Sequence, residues 1–267
     1  MGQIWLLGKI TFKEGVRNRI LIGILLFAIL LTVLNLIFSQ MFTYDLSKVS
    51  VDLGLSMVSI AGLAVIFFMG INLLARDFEK RTIYMVISRP IARWQYVLGK
   101  YLGLMLMVGA SVAIIGCFAA ASVKAIMLYA PSYVPPEYSW GVFWLSIGLS
   151  FLSLLIITAI AQLFTCITTS SYLALMLTAC TYFIGQNVEV VRKMVDGNDT
   201  FLPLFRYVIR TATWLFPNLS AFDIKTAAGY GLPVEISSII WIAAYGISYV
   251  FIILILTVFI FQRRELG

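Results

Sequence analysis

Apolar residues run along the chain in six blocks, at about 20–42, 53–75, 99–123, 141–165, 171–191 and 236–261. Within each block hydrophobic side chains follow one another almost without interruption. They do not recur at the three-to-four spacing of a helix with one wet face. A run of about 20 apolar residues at 1.5 Å rise matches a hydrocarbon core about 30 Å thick. Each block therefore predicts a membrane-spanning helix. The first is too long for a signal-peptide core and no small-residue cleavage site follows it, so it is expected to be retained.

Between the blocks the pattern changes. Residues 3–19 mix Trp5, Phe12 and Val16 with Lys9, Lys13 and Arg17 at i, i+4 and i+8, which places the three cations on one stripe of a helix. That suits an anionic leaflet surface. In residues 203–216, PLFRYVIRTATWLF, Pro203 suits a first helical turn. Phe205, Ile209, Ala212 and Phe216 then share one face, with Arg206, Arg210 and Thr213 on the other, and Pro217-Asn218 ends the segment. This predicts an amphipathic helix at the outer interface, either a plain anchor or a lid over a pathway. No internal repeat is visible, which removes support for an inverted-repeat carrier.

Composition agrees with a lipid solvent: 61% of the 267 residues are hydrophobic and 12% charged. Soluble domains carry roughly 25% charged residues. The net charge of +7 is read first as topology, and no nucleic-acid partner is expected. Twelve Lys and Arg fall in the N-terminal segment, the 76–100 region and the C-terminal tail, against seven on the opposite side. Under the positive-inside rule both termini are expected in the cytoplasm.

Histidine is absent, which removes the commonest general base and zinc ligand. Cys117, Cys166 and Cys180 stand singly in apolar segments and are expected simply to pack. The sequence pairs Gly8-Lys9 and Gly99-Lys100 lack both the upstream glycine and the following Ser or Thr of a P-loop. No HExxH, GxSxG or mid-membrane carboxylate occurs, so neither a metal nor a coupling ion has an evident seat. The polar residues inside the spans are neutral, notably Asn35, Asn72, Ser146, Ser150, Ser153 and Gln162. They are read as helix–helix glue or as the lining of a pathway, with Ser146, Ser150 and Ser153 on one helical face at i, i+4 and i+7. Gly99-x3-Gly103 is a weak small-xxx-small signal, since glycine is frequent in membrane helices.

The segment 75–100, ARDFEKRTIYMVISRPIARWQYVLGK, is the most informative. A stop-transfer cluster would explain Arg76, Lys80, Arg81, Arg89 and Arg93, but not the apolar stretch 83–87. Pro90 disfavours helix at Arg89, so a short helix, a break and a helix entering the third span are expected. A short apolar helix flanked by charges suits docking in a groove of a soluble partner. The pattern Glu79, Thr82, Pro90, Arg93 and Lys100 resembles the cytoplasmic loop of ABC type-2 exporter permeases. It is most similar to the branch named for the NosY permease, associated with multicopper-enzyme maturation, whose PN element Pro217-Asn218 resembles.

The resemblance implies an all-α integral membrane protein. It would form a single permease domain over 1–267, with six transmembrane helices, an interfacial connecting helix over 1–19, a coupling loop over 76–98 and an extracytoplasmic region over 192–235. It implies a prokaryotic inner-membrane subunit that pairs with a second permease copy as a homodimer and binds two ABC ATPase subunits. Those subunits would hold ATP and Mg, with no cofactor on this chain. Glu79, Arg81, Thr82, Arg89, Pro90 and Arg93 would couple to the ATPase, and Arg206, Arg210, Pro217 and Asn218 would belong to the outer region. Two other classes remain: a membrane anchor or assembly factor without transport, and an intramembrane enzyme, which the missing Asp, Glu and His clusters argue against.

Overall fold

The computed structural model describes residues 2–17, 20–41, 46–70, 92–129, 131, 138–168, 170–196, 207, 209, 211, 213 and 215–263. These form α1 (Gly2–Arg17), α2 (Ile20–Gln40), α3 (Leu46–Val65, continued by a π-helical turn, Ile66–Gly70) and α4 (Arg93–Tyr129). There follow α5 (Trp140–Ile167), α6 (Ser171–Asp196), a 3-10 turn (Ser220–Phe222), α7 (Lys225–Tyr230) and α8 (Ile236–Arg263). No strand occurs among the described residues. Among the described residues five helices are long and apolar enough to cross a membrane: α3, α4, α5, α6 and α8. Of α2, the first expected span, the part described with its side chains, Gly23–Phe38, is apolar throughout most of its length.

Several helices outrun their apolar blocks. The capping chemistry at the head of α4 explains its early start at Arg93. The Gln95 side chain accepts a hydrogen bond from the Ala92 N–H at 3.2 Å, which satisfies an amide that helix geometry leaves orphaned. At 37 residues α4 is about 55 Å long, so it tilts or projects beyond an apolar layer about 30 Å thick. The third helix begins at Leu46, seven positions ahead of its block, and so takes in Lys48 and Asp52. Asp52 stays exposed on the second turn, while Lys48 Nζ sits 4.8 Å from the centroid of the Tyr230 ring on α7. Cys117 and Cys180 also depart from expectation: both are exposed on their helices, and only Cys166 is buried.

The bundle is organised around α4 and α5. α4 packs on α1, α2, α3, α5 and α8, and α5 packs on α3, α4, α6 and α8. In its most apolar stretch α5 is 67% buried, against 17% for α8, which makes α5 the core and α8 the periphery.

α1 lies along the first third of α4 through glycine. Its buried residues are Gly8, Thr11 and Gly15, and across from them stand Gly99 and Gly103. A Cβ at Gly103 would come within 2.5 Å of Thr11 Cβ and 2.9 Å of the Gly8 carbonyl oxygen. One at Gly99 would lie 2.6 Å from Leu7 Cβ. The weak sequence signal is thus the closest backbone approach between these helices. Small residues, not a row of large apolar ones, therefore form the face of α1 that meets α4. Lys9, Lys13 and Arg17 are exposed on the other side with Trp5, Leu6 and Ile10.

A polar tie joins α2, α3 and α4. Buried Asn35 donates from Nδ2 to the Ser50 carbonyl and to Ser122 Oγ, both at 3.1 Å. Gly54 of α3 leaves room for that amide, since a Cβ there would stand 3.3 Å from Asn35 Nδ2. Tyr101 OH, on α4, donates to the Leu155 carbonyl of α5 at 3.2 Å.

The two kinds of contact predict different losses. Gly103→Leu forces apart two backbones that cannot relax locally, and is expected to destabilise at the upper end of the overpacking range, about 3 kcal/mol. Asn35→Ala removes two interhelical bonds, each worth on average about 0.6 kcal/mol in a membrane. Thermal unfolding in detergent should rank Gly103→Leu below Asn35→Ala and both below wild type. A Gly103→Leu protein as stable as wild type would show that α1 does not pack there.

Candidate functional site

All three expected groups fall partly outside the described residues. Glu79, Arg81, Thr82, Arg89 and Pro90 lie there, as do Asn72, Arg206 and Arg210, so the expected break at Pro90 falls there too. Arg93 is described and opens α4. Its Nη1 donates to the Gln262 carbonyl at 2.8 Å, in the last turn of α8. Lys100, two turns further on, is buried.

The neutral polar residues of the spans separate into two classes. Asn35 and Gln162 make interhelical bonds. Gln162 Nε2 donates to the Val97 carbonyl of α4 at 2.9 Å, and its Oε1 has no protein partner. Ser146 is fully buried on α5 with no protein partner for Oγ. Ser150 and Ser153, by contrast, open into a pocket with Ser59 of α3, Tyr182 and Gln186 of α6, and the Asp223–Lys225 pair where the segment after α6 meets α7, a segment that the resemblance would place on the outer side. Of the three serines read as one face, only the last two share a site.

The pocket has ≈ 20 Å³ of internal volume, enough for about one water. Its wall is rich in hydroxyls and amides. Gln186 Nε2 donates to Tyr182 OH at 3.4 Å, Ser59 Oγ donates to the Leu55 carbonyl at 3.3 Å, and Lys225 Nζ lies 3.2 Å from Asp223 Oδ2. Tyr182, Gln186, Asp223 and Lys225 were not singled out by sequence. Tyr182 and Gln186 stand at i and i+4 on α6, a spacing that places them on one face. The Asp223–Lys225 pair has no such signal, because only folding of the outer segment brings it over α3 and α5. Among the described residues no three of Cys, Asp or Glu gather as a metal site would require.

The outer segment is tied down at Pro217-Asn218. The Asn218 N–H donates to Tyr245 OH of α8 at 3.0 Å, and its Nδ2 donates to Glu189 Oε2 of α6 at 3.1 Å. Ser220 Oγ donates to Asn218 Oδ1 at 2.8 Å, so one residue, through its backbone and its side chain, joins three elements. Beside it the Leu219 N–H donates to the Gly185 carbonyl at 3.0 Å. Only glycine fits at 185, since a Cβ would sit 2.8 Å from the Pro217 carbonyl oxygen. Leu219 and Phe222 are buried, and Phe222 stacks on Tyr245. Ahead of this hub, residues 207, 209, 211, 213 and 215 are helical, as the amphipathic pattern predicts. Thr213, assigned by sequence to the face opposite Phe216, instead lines the same ≈ 380 Å³ pocket with it, together with Arg192, Trp241 and Tyr245. The two stand three positions apart, which on a helix is the same side.

Asn218→Ala should therefore loosen the outer segment, raising limited proteolysis within 207–224 by about tenfold, as loss of a bond to a charged group implies. Asn218→Asp sets a second carboxylate against Glu189 and should raise it further. Equal proteolysis of all three proteins would refute the tie.

A family model described as ABC-2 family transporter protein matches residues 5–266, nearly the whole chain. No curated protein matches it. Members of this family are membrane permease components of ABC transporters, generally not enzymes themselves, and they work with an ABC ATPase. With a match across almost its full length and several helices built to pass through a bilayer, the chain belongs to the ABC-2 family of transporter proteins.

Proposed function

We propose that the chain is the permease subunit of an ATP-driven exporter of the NosY-like branch. The observation that carries this reading is the 76–98 segment, whose Glu79, Thr82, Pro90 and Arg93 pattern stands between α3 and α4 within a whole-length family match. Six spans follow if α2 crosses the membrane with the other five. Both termini then lie in the cytoplasm of a prokaryote, beneath its inner membrane, on the side richer in Lys and Arg.

In this reading two copies of the chain pair, and each binds one ATPase subunit carrying ATP and Mg. Glu79, Arg81, Thr82, Arg89 and Pro90 form the docking element, with the apolar 83–87 stretch seated in a groove of the ATPase. Movement of that element reaches the bundle through the ends of α3 and α4. Ser150 and Ser153, with Asn72, contribute to the polar lining of the pathway, while Asn35 and Gln162 hold helices together. Arg206, Arg210 and the Pro217-Asn218 hub keep the 192–235 region over the outer end of the bundle. Lysines and arginines of α1 meet the anionic inner leaflet.

The test is co-purification from the native host. A P-loop ATPase should be recovered with the wild-type chain, and Pro90→Ala or Arg89→Glu should lower its recovery at least tenfold without lowering the amount of folded permease. The reconstituted complex should hydrolyse ATP. Recovery of no ATPase, or recovery unchanged by both substitutions, refutes the proposal and favours the anchor or assembly role.

A further inference from the structure

The sequence pattern places Arg93 among the charges that face an ATPase, but the structure directs its guanidinium to the exposed last turn of α8. Arg93 Nη1 donates to the Gln262 carbonyl, one residue from the end of α8. The last four carbonyls of a helix have no partner within it. A cation that satisfies one of them also meets the negative end of the helix dipole. Immediately before Gln262, Phe261 stacks on Tyr96 with centroids 5.7 Å apart and rings 20° from parallel. Tyr96, Val97, Cys166 and Phe261 form one buried cluster, with Val258 against it. Gln162 of α5 adds its bond to the Val97 carbonyl.

The first two turns of α4 thus hold the ends of α5 and α8 on one side and α1, through Gly99, on the other. Beyond that turn α8 keeps one buried stripe, Gly246, Val250, Leu254 and Thr257, although only 17% of its most apolar stretch is buried. The stripe begins about three turns into the helix, where Gly246 admits Phe222 and Leu152 and Tyr245 meets Asn218. A helix held along one stripe and open on its other faces moves as a unit with whatever moves either end of that stripe.

We propose that Arg93 is a positioning residue that fixes the end of α8 to the head of α4, and so carries displacement of the adjoining 76–92 segment into α8. This rests on the permease reading. Packed interfaces of this kind shift as units instead of deforming gradually. The residue nearest the docking element is in this view a transmission link and not an ATPase contact.

Hydrogen–deuterium exchange over residues 255–263 tests it, on the detergent-purified chain alone and on the complex with the ATPase that co-purifies, with and without Mg and ATP. In the chain alone Arg93→Ala should speed exchange of that turn about fivefold, as loss of a charge-assisted cap implies. Arg93→Lys, which keeps the charge but not the fork, should give a smaller increase and guards against a misfolded alanine variant. In the complex the Arg93→Ala chain should capture as much ATPase as wild type, yet lose the nucleotide-dependent change in exchange at 255–263. Unchanged exchange in the Arg93→Ala chain would overturn the proposal. So would loss of ATPase capture with the α8 turn intact, which would return Arg93 to the docking surface. If the wild-type chain captures no ATPase, the permease reading fails by itself, and the exchange of the isolated chain still decides whether Arg93 holds α8.

Discussion

Hydrophobic burial cannot hold helices together in a solvent as apolar as they are. What remains is close backbone approach, a few interhelical hydrogen bonds and the fit of side chains. The contact between α1 and α4 answers that constraint directly. Gly8 faces Gly99 and Gly103, and neither position on α4 has space for even a methyl group. Once α1 is fixed there, the head of α4 has a defined rotation about its axis. That rotation turns Tyr96 and Val97 toward α5 and α8 and, further along, Ser122 toward Asn35. The rest of the bundle takes its register from this one helix.

The two ends of the bundle are secured by different chemistry, which fits what surrounds each. At the end where α4 begins, an arginine cap, an aromatic stack and glycine contacts join α1, α4, α5 and α8. At the other end the chain leaves α6 and returns over the helix ends, so exposed polar backbone must be satisfied without regular helix. The Asn218 and Leu219 N–H groups donate to Tyr245 OH and to the Gly185 carbonyl, and Gly185 lets the chain lie against α6. A lysine over an aromatic ring, Lys48 on Tyr230, closes the same surface over α3.

Sequence revealed the helices because uninterrupted apolar runs have little other use, and it revealed the PN element because proline and asparagine together stop a helix. It missed helix ends, since an N-terminal cap such as Gln95 to Ala92 lies outside the apolar run that marks the span. It undervalued Gly99-x3-Gly103, because glycine spacing alone does not say whether a partner helix arrives, and the partner here comes from ninety residues away. It grouped Ser146, Ser150 and Ser153 by spacing. Which of them meets a pocket depends on where α3 and α6 cross α5, and one helix's sequence does not encode that. Asp223 and Lys225 escaped for the same reason.

Hydrogen bonding now sorts the intramembrane polar groups by the work they do. Asn35 ties its amide to two neighbouring helices. Ser150 and Ser153 face a space too small for more than about one water. Ser50 Oγ, Ser146 Oγ and Gln162 Oε1 are buried without a protein partner. Each such group costs about 1–3 kcal/mol until water or another helix arrangement satisfies it. A protein that must pass between arrangements cannot have every polar group best satisfied in only one of them, because a ligand or nucleotide shifts an equilibrium only by its differential affinity. The groups without a partner lie on α3 and α5, the helices that wall the polar pocket, so that is where water or a second helix arrangement would restore a hydrogen bond.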